Sequence, residues 1–188
     1  LATPAPDDAE TLVDVLRWHA REHPDRTHIF LRKEDGSELP ISYGQLWRRS
    51  VRVAHALGRR GIGRRDTVTL MLRTEPAFFP AFFGTLLAGA VPVPIYPPFR
   101  PDRIAEYAEG QVGILSNAGT RLMITFAEVE RLAGLLRGRI PTLKDVTTLD
   151  DLCPDLDDGG DELPAAPPVG LTADDPARIQ YTSGSTGQ

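Results

Sequence analysis

Thr67-Val68-Thr69-Leu70-Met71-Leu72 is a short apolar, β-branched run that reads as a strand, and with the two segments after it sets the architecture. Residues 75–88 then give a stretch of helical length, apolar on most sides and so expected to be covered on most sides. Val91-Pro92-Val93-Pro94-Ile95-Tyr96 returns to strand. Its two prolines cannot donate to a ladder, so it belongs at a sheet edge or is irregular. Strand, helix and strand in direct succession is the pattern of a parallel pair joined by a crossover.

The pattern continues towards the C-terminus. Residues 101–117 read as a helix with Ile104, Tyr107, Ala108, Val112 and Leu115 inward, and 121–124 as a strand. Thr125 and Glu128 form a capping box opening a helix with Val129, Leu132 and Leu136 at helical spacing, and 146–149 is another strand. On the N-terminal side, residues 11–22 are a helix signalled by Thr11 and Asp14, with Leu12, Val15, Leu16 and Ala20 as its stripe and Pro24 as its stop. Residues 27–32 and 38–41 form a hairpin around Asp35-Gly36. Ser42 and Gln45 box the start of a helix facing inward with Leu46, Ser50, Val53, Ala54 and Leu57, closed by Gly58 and Gly61. The fold class is therefore α/β: three-layer, a mainly parallel sheet with helices on both faces, plus an N-terminal β-hairpin. Residues 1–153 form the α/β subdomain. Residues 154–176, rich in Asp, Gly, Pro and Ala, are a surface linker. Residues 177–188 open the next subdomain with a strand at 178–181 and a loop.

The 188 residues suffice for one substantial core. With 41% hydrophobic and 25% charged residues and a net charge of −5, nothing draws the whole chain to nucleic acid or an anionic membrane. One cysteine, Cys153, excludes an internal disulfide framework and fits a reducing, cytoplasmic setting. The acidic, Pro-rich start has no signal-peptide character, and the apolar stretch 77–91 is too short to span a membrane.

Tyr181-Thr182-Ser183-Gly184-Ser185-Thr186-Gly187 carries the chemistry. Glycines let backbone N–H groups approach an anion, and four hydroxyls add donors. There is no Walker lysine. Composition alone favours a flexible tail, since Gly/Ser tracts are common linkers, whereas a strand feeding such a loop points to phosphate binding. The chain ends one residue later, so it is expected to be the N-terminal piece of a larger nucleotide-using enzyme.

Gln180 to Gly187 resembles the phosphate-loop signature of the adenylate-forming superfamily: acyl-CoA synthetases, peptide-synthetase adenylation domains and luciferases. Ile41-Ser42-Tyr43-Gly44-Gln45-Leu46 resembles that family's early helix start, and the stretch 84–94 its turn between helix and strand. Ile95-Tyr96-Pro97-Pro98, with Arg100-Pro101, is similar to fatty acyl-AMP ligases in particular. The resemblance implies the first part of a large N-terminal domain. It also implies a reaction in which a fatty acid carboxylate attacks the α-phosphate of Mg-ATP, giving acyl-adenylate and pyrophosphate. The acyl group then passes to the phosphopantetheine of an acyl carrier protein or polyketide synthase carrier domain, with coenzyme A as the other acceptor. Thr182, Ser183, Gly184, Ser185, Thr186 and Gly187 would contact the β- and γ-phosphates. The family's adenine, ribose and Mg2+ residues and its late catalytic lysine match nothing before Gln188, so this chain has no assigned catalytic residue or metal ligand and is expected to be inactive alone. The rivals are an acyl-CoA synthetase or amino-acid adenylation domain on the same scaffold, and a non-catalytic partner-binding module.

The remaining motifs have plainer readings. His19-Ala20-Arg21-Glu22-His23 fits an H-x-x-E-H zinc pattern, but Pro24 comes at once after it and histidines favour helix C-termini for electrostatic reasons. Arg48, Arg49, Arg52, Arg59, Arg60, Arg64 and Arg65 read as a solvated helix face. Tyr96, Phe99 and Arg100 sit in a Pro-locked loop at a strand end and receive no role. Cys153 reads as a buried thiol.

Overall fold

The computed structural model describes residues 6–33, 35–97, 104–131, 133–157 and 164–181. Phe99, Arg100, Pro101, Leu132 and all of 182–188 lie outside these, as do the side chains of Ile104 and Ala108. Both N-terminal capping boxes form. Thr11 Oγ1 accepts from Asp14 N (3.2 Å) and the Asp14 carboxylate accepts from Thr11 N (3.1 Å), opening α1 (Leu12–Glu22). The buried face of α1 is Val13, Leu16, His19 and Ala20, rotated from the expected stripe, and Leu12 is exposed. Positions 13, 16 and 20 also share one helical face, and the neighbouring elements select that face over the one containing Leu12. β1 (Thr27–Arg32) and β2 (Glu38–Ser42) pair antiparallel, Phe30 opposite Pro40, around a turn with Gly36 at φ +81°. Ser42 and Gln45 box α2 (Tyr43–Arg59), which buries all five predicted inward residues.

Strands and helices then alternate: β3 (Thr67–Leu70), α3 (Phe78–Leu87), β4 (Val91–Pro94), α4 (Ile104–Gly110), α5 (Val112–Asn117), β5 (Leu122–Thr125), α6 (Ala127–Glu130), α7 (Ala133–Arg139), β6 (Asp145–Thr148) and α8 (Leu149–Leu152). The strands form one parallel sheet in the order β4-β3-β5-β6. One apolar cluster joins α1, α2, α3 and α8 to Val68, Leu70, Leu122 and Ile124. The other gathers Leu115, Val129, Leu136 and Ile140 on Met71, Met123 and Val146. Alternate residues of each strand point to opposite faces, so these clusters are the two sides of one sheet and the architecture has three layers. The β3-to-β4 and β4-to-β5 crossovers run in opposite directions over opposite faces, which keeps one hand throughout.

Four local expectations need correction. The helix expected over 101–117 is interrupted at Gln111, between Gly110 and Gly113, both poor helix formers. Thr125 does not cap a helix. It ends β5 paired with Thr148, and its hydroxyl donates to Met71 O (3.4 Å), while Phe126 takes the cap position without a side-chain bond. The helix expected from 75 begins at Phe78, after a turn in which Phe78 N donates to Glu75 O (3.0 Å). Pro80 then falls in the first turn, where its missing N–H has no intrahelical partner to lose. The run 178–181 is irregular and makes one backbone bond to the sheet, Ile179 N to Pro92 O (3.1 Å).

That last bond is a consequence of β4. Val91 N and Ile95 N donate to Asp66 O and Leu70 O on the β3 side. Residues 92 and 94 therefore face the outer edge, and both are prolines. The edge offers carbonyl acceptors and no donors, so Ile179 can dock but a ladder cannot continue. Residues 164–176 have no helix or strand and lie along α1 and α2. Trp47 Nε1 donates to Pro164 O (3.1 Å), Arg64 pairs with Asp175 (2.9 Å), and Ala166 and Leu171 pack on the first cluster.

Candidate functional site

Parallel sheets gather ligands beyond the carboxyl ends of their strands, where crossovers diverge. Here α3 leaves β3 over one face and α4 comes after β4 on the other. Between them opens a crevice of about 830 Å³, within the usual range of small-molecule sites. Leu72, Arg73 and Thr74 line it after β3, and Ile95, Tyr96 and Pro97 after β4. Phe78 of α3, Tyr107 of α4 and Ile114 of α5 form walls, and Gln180 and Tyr181 close one side.

Two phenols set the geometry. Tyr107 Oη donates to the Tyr96 carbonyl, and Tyr181 Oη donates to Asn117 Oδ1 (2.6 Å). Burial pushes both phenols above their ordinary range, so both remain hydrogen-bond donors across neutral pH. Arg73 is the one charged residue among the described lining, and no described residue pairs with its side chain. The lining contains no carboxylate among the described residues. A surface with a guanidinium, amides and hydroxyls over apolar walls suits an anionic ligand with an apolar part, and among the described residues offers a divalent metal no carboxylate.

The predicted phosphate-loop residues, Thr182, Ser183, Gly184, Ser185, Thr186 and Gly187, lie outside the described residues; Tyr181, bonded directly to Thr182, lies in the crevice wall. Tyr96, given no role from sequence, lines the crevice and is 76% exposed. Sequence reasoning does not reach Arg73 or Asn117, and it places Tyr107 only as an inward helix residue. The signal that could find Arg73 is its place just after a parallel strand; Asn117 has none, because its partner is 64 residues away.

The other motifs fall elsewhere. His19 stacks on Tyr43 (4.4 Å between ring centres) and His23 is the C-cap of α1. Among the described residues, no group of three His, Cys, Asp or Glu side chains could hold a metal ion. The arginine cluster ties α2 and the turn after it to the C-terminal segments: Arg49 to Asp157 (2.6 Å), Arg60 to Asp145 and Arg64 to Asp175. Cys153 is 1% exposed and burial pushes its thiol up to about 11, which keeps it overwhelmingly in the thiol form at neutral pH. A second depression, about 540 Å³, lies between α1 and residues 164–171, away from the strand ends. Its Asp14 and Arg17 are paired with each other (2.7 Å). No helix among the described residues is long and apolar enough to cross a membrane.

Residues 16–188 match the family described as AMP-binding enzyme. Over 183 residues the chain is 31% identical to indigoidine synthase of Dickeya dadantii, covering 96% of this chain and 11% of that protein. Over 202 residues it is 29% identical to the mitochondrial acetyl-coenzyme A synthetase 2-like protein of Homo sapiens, covering 93% and 27%. Among solved structures it superposes on the fatty acyl-adenylate ligase from L. pneumophila in complex with acyl adenylate and pyrophosphate, with a TM-score of 0.75 and 26% identity, over 97% of this chain and 30% of that one. It also superposes on a Mycobacterium tuberculosis fatty acyl CoA synthetase (TM-score 0.70, 26% identity, 95% and 34% covered). The chain thus spans between about a tenth and a third of each of these proteins. The match over nearly its whole length, on a three-layer scaffold of the same shape, means that this chain belongs to the AMP-binding enzymes.

Proposed function

We propose that this chain is the opening part of an ATP-dependent ligase that activates a fatty acid as its acyl-adenylate. The observation that carries the reading is Tyr181. It sits in a crevice at the carboxyl end of a parallel sheet, immediately before Thr182-Ser183-Gly184-Ser185-Thr186-Gly187, in a member of the AMP-binding family. In the reaction, a carboxylate oxygen bonds to the α-phosphorus of ATP and the bond to the β-phosphate oxygen breaks, releasing pyrophosphate. A thiol then bonds to the acyl carbon and AMP leaves. The six loop residues would hold the β- and γ-phosphates, and fixed N–H and O–H donors would stabilise charge building on the leaving pyrophosphate. Mg2+ would be bound together with the nucleotide; the described lining supplies no carboxylate for it. The apolar walls at Phe78, Ile95 and Ile114 support an acyl rather than a small polar substrate. A carrier-protein phosphopantetheine is the proposed acceptor.

Fatty-acid-dependent exchange of labelled pyrophosphate into ATP by the full-length protein tests this. Exchange is expected with fatty acids. Ser185→Ala should lower kcat by about a hundredfold, the usual cost of one donor at developing charge. The 188-residue chain alone should show no exchange. Exchange with amino acids or acetate instead would move the reading to an adenylation domain or a short-chain synthetase, and acyl transfer to free coenzyme A in place of a carrier protein would overturn the acceptor.

A further inference from the structure

The donor-free edge of β4 leaves the approach to residue 182 with one backbone bond, Ile179 N to Pro92 O. One such bond fixes a point and not a direction. The second point is the Tyr181 hydroxyl on Asn117 Oδ1 (2.6 Å). Asn117, the last residue of α5, stands on a firm corner. Ala118 N, Gly119 N and Thr120 N bond back to Ile114 O, Ser116 O and Leu115 O (2.9, 3.0 and 2.9 Å). Thr67 Oγ1 donates to Gly119 O, and Thr69 and Thr120 share a buried hydroxyl bond, both at 2.8 Å, so the corner is fastened to β3. Leu115 within it is fully buried. A continuous chain of bonds thus runs from the central strand through Asn117 to the residue preceding Thr182.

We propose that Asn117 is a positioning residue that acts through Tyr181, fixing the point and direction at which the chain enters residues 182–187 and so their aim at the nucleotide phosphates. This rests on the function proposed above. Asn117 need not touch substrate. The bond lies at the surface, with Asn117 exposed and Tyr181 half-buried, so its loss should be felt as misplacement of a few-fold cost and not as loss of fold.

Tyr181→Phe, Asn117→Ala and their double variant, made in the full-length protein, test it by pyrophosphate exchange and by hydrogen exchange at the Ile179 amide. KM for ATP should rise about three- to tenfold in each single variant, with the melting temperature unchanged. The double variant should be no worse than either single one, because both cut the same bond. Asn117→Asp keeps an acceptor and should retain wild-type KM for ATP. Ile179 should lose protection in Tyr181→Phe. Unchanged KM for ATP, additive losses, or Ile179 protection equal to wild type would each overturn the proposal. Absence of exchange by the wild-type protein with every acid sinks the ligase reading instead, and the Ile179 measurement still decides whether the anchor exists.

Discussion

The two faces of the sheet are built differently. On one face α2 and α3 run for 17 and 10 residues, α1 and α2 start at complete capping boxes, and the cluster reaches from α1 to α8. On the other, α4 to α7 are four to seven residues each, α5 and α6 lack side-chain caps, and the cluster is small. The first face meets the sheet as a finished surface. The second supplies the phenol contacts of the crevice, from Tyr107 and Asn117. Long capped helices hold shape through local bonds as well as packing, whereas short ones depend on packing alone. The side that supplies these phenol contacts is thus the one whose helices are least able to stand by themselves, a common division between scaffold and functional segments.

Glycine gives the sharpest way to break that contrast. At Gly84 in α3 an added Cβ would lie 2.6 Å from Val53 Cβ and 2.8 Å from the Ser50 carbonyl oxygen, so α2 and α3 meet there with no room. Overpacking costs about 3 kcal/mol at such a site, and alanine's helix preference offsets about 1 kcal/mol. Gly84→Ala should therefore lower stability by about 2 kcal/mol in urea unfolding. Wild-type stability would mean that the first face is not tightly joined.

Gly113 in α5 and Gly138 in α7 are exposed, and a Cβ at either meets nothing within 4 Å. Neither has a positive φ. Alanine there should stabilise by about 0.5–1 kcal/mol each, through helix propensity and a less disordered unfolded chain. The same substitution should thus have opposite signs on the two faces. A loss at Gly113 or Gly138 would show that the second face is packed as closely as the first.

The same contrast explains what is legible in the sequence. Thr11/Asp14 and Ser42/Gln45 are three residues apart and act on their own backbone, so both helix starts can be read directly. The strand–helix alternation gives the parallel sheet, and Pro92 and Pro94 give its edge. Thr125/Glu128 has the same local signature and misleads, because Met71 and Thr148 claim Thr125 from other strands. Thr148 and Asp151, three residues apart in the same way, do cap α8, a start hidden inside a strand-like run. The loop 180–187 is legible as a motif. The crevice that Gln180 and Tyr181 close is not, since Arg73, Tyr107 and Tyr181 come to line it, and Asn117 to bond Tyr181, only after the sheet has brought them together.

The smallest effect at neutral pH, and the most selective, concerns the outer layer of the first face. Tyr43 lies between His19 and His28, with ring centres at 4.4 and 4.3 Å and planes within 17° and 24°. Trp18 meets His19 edge-on at 4.7 Å. His19 Nδ1 is buried with no hydrogen-bond partner among the described residues. Burial, then Arg26 and His23, lower the pKa of His19 from its ordinary 6.5; burial, then His19, lower that of His28. Both rings are therefore neutral in the fold where they would already bind a proton unfolded. The stability this confers is present above pH 6.5 and is lost as pH falls below it, because the unfolded chain then holds more protons. The four histidines of the chain, His19, His23, His28 and His55, all lie between the start of α1 and the end of α2, and none falls in α4 to α7. Acidification from about pH 7.5 to about pH 5 should thus loosen α1 and the hairpin before α7, read by amide exchange corrected for intrinsic rates. His19→Phe keeps an aromatic ring in the stack and removes the proton site, so its stability should vary less with pH. Equal loosening of both faces, or a His19→Phe profile identical to wild type, would place the acid response elsewhere in the molecule.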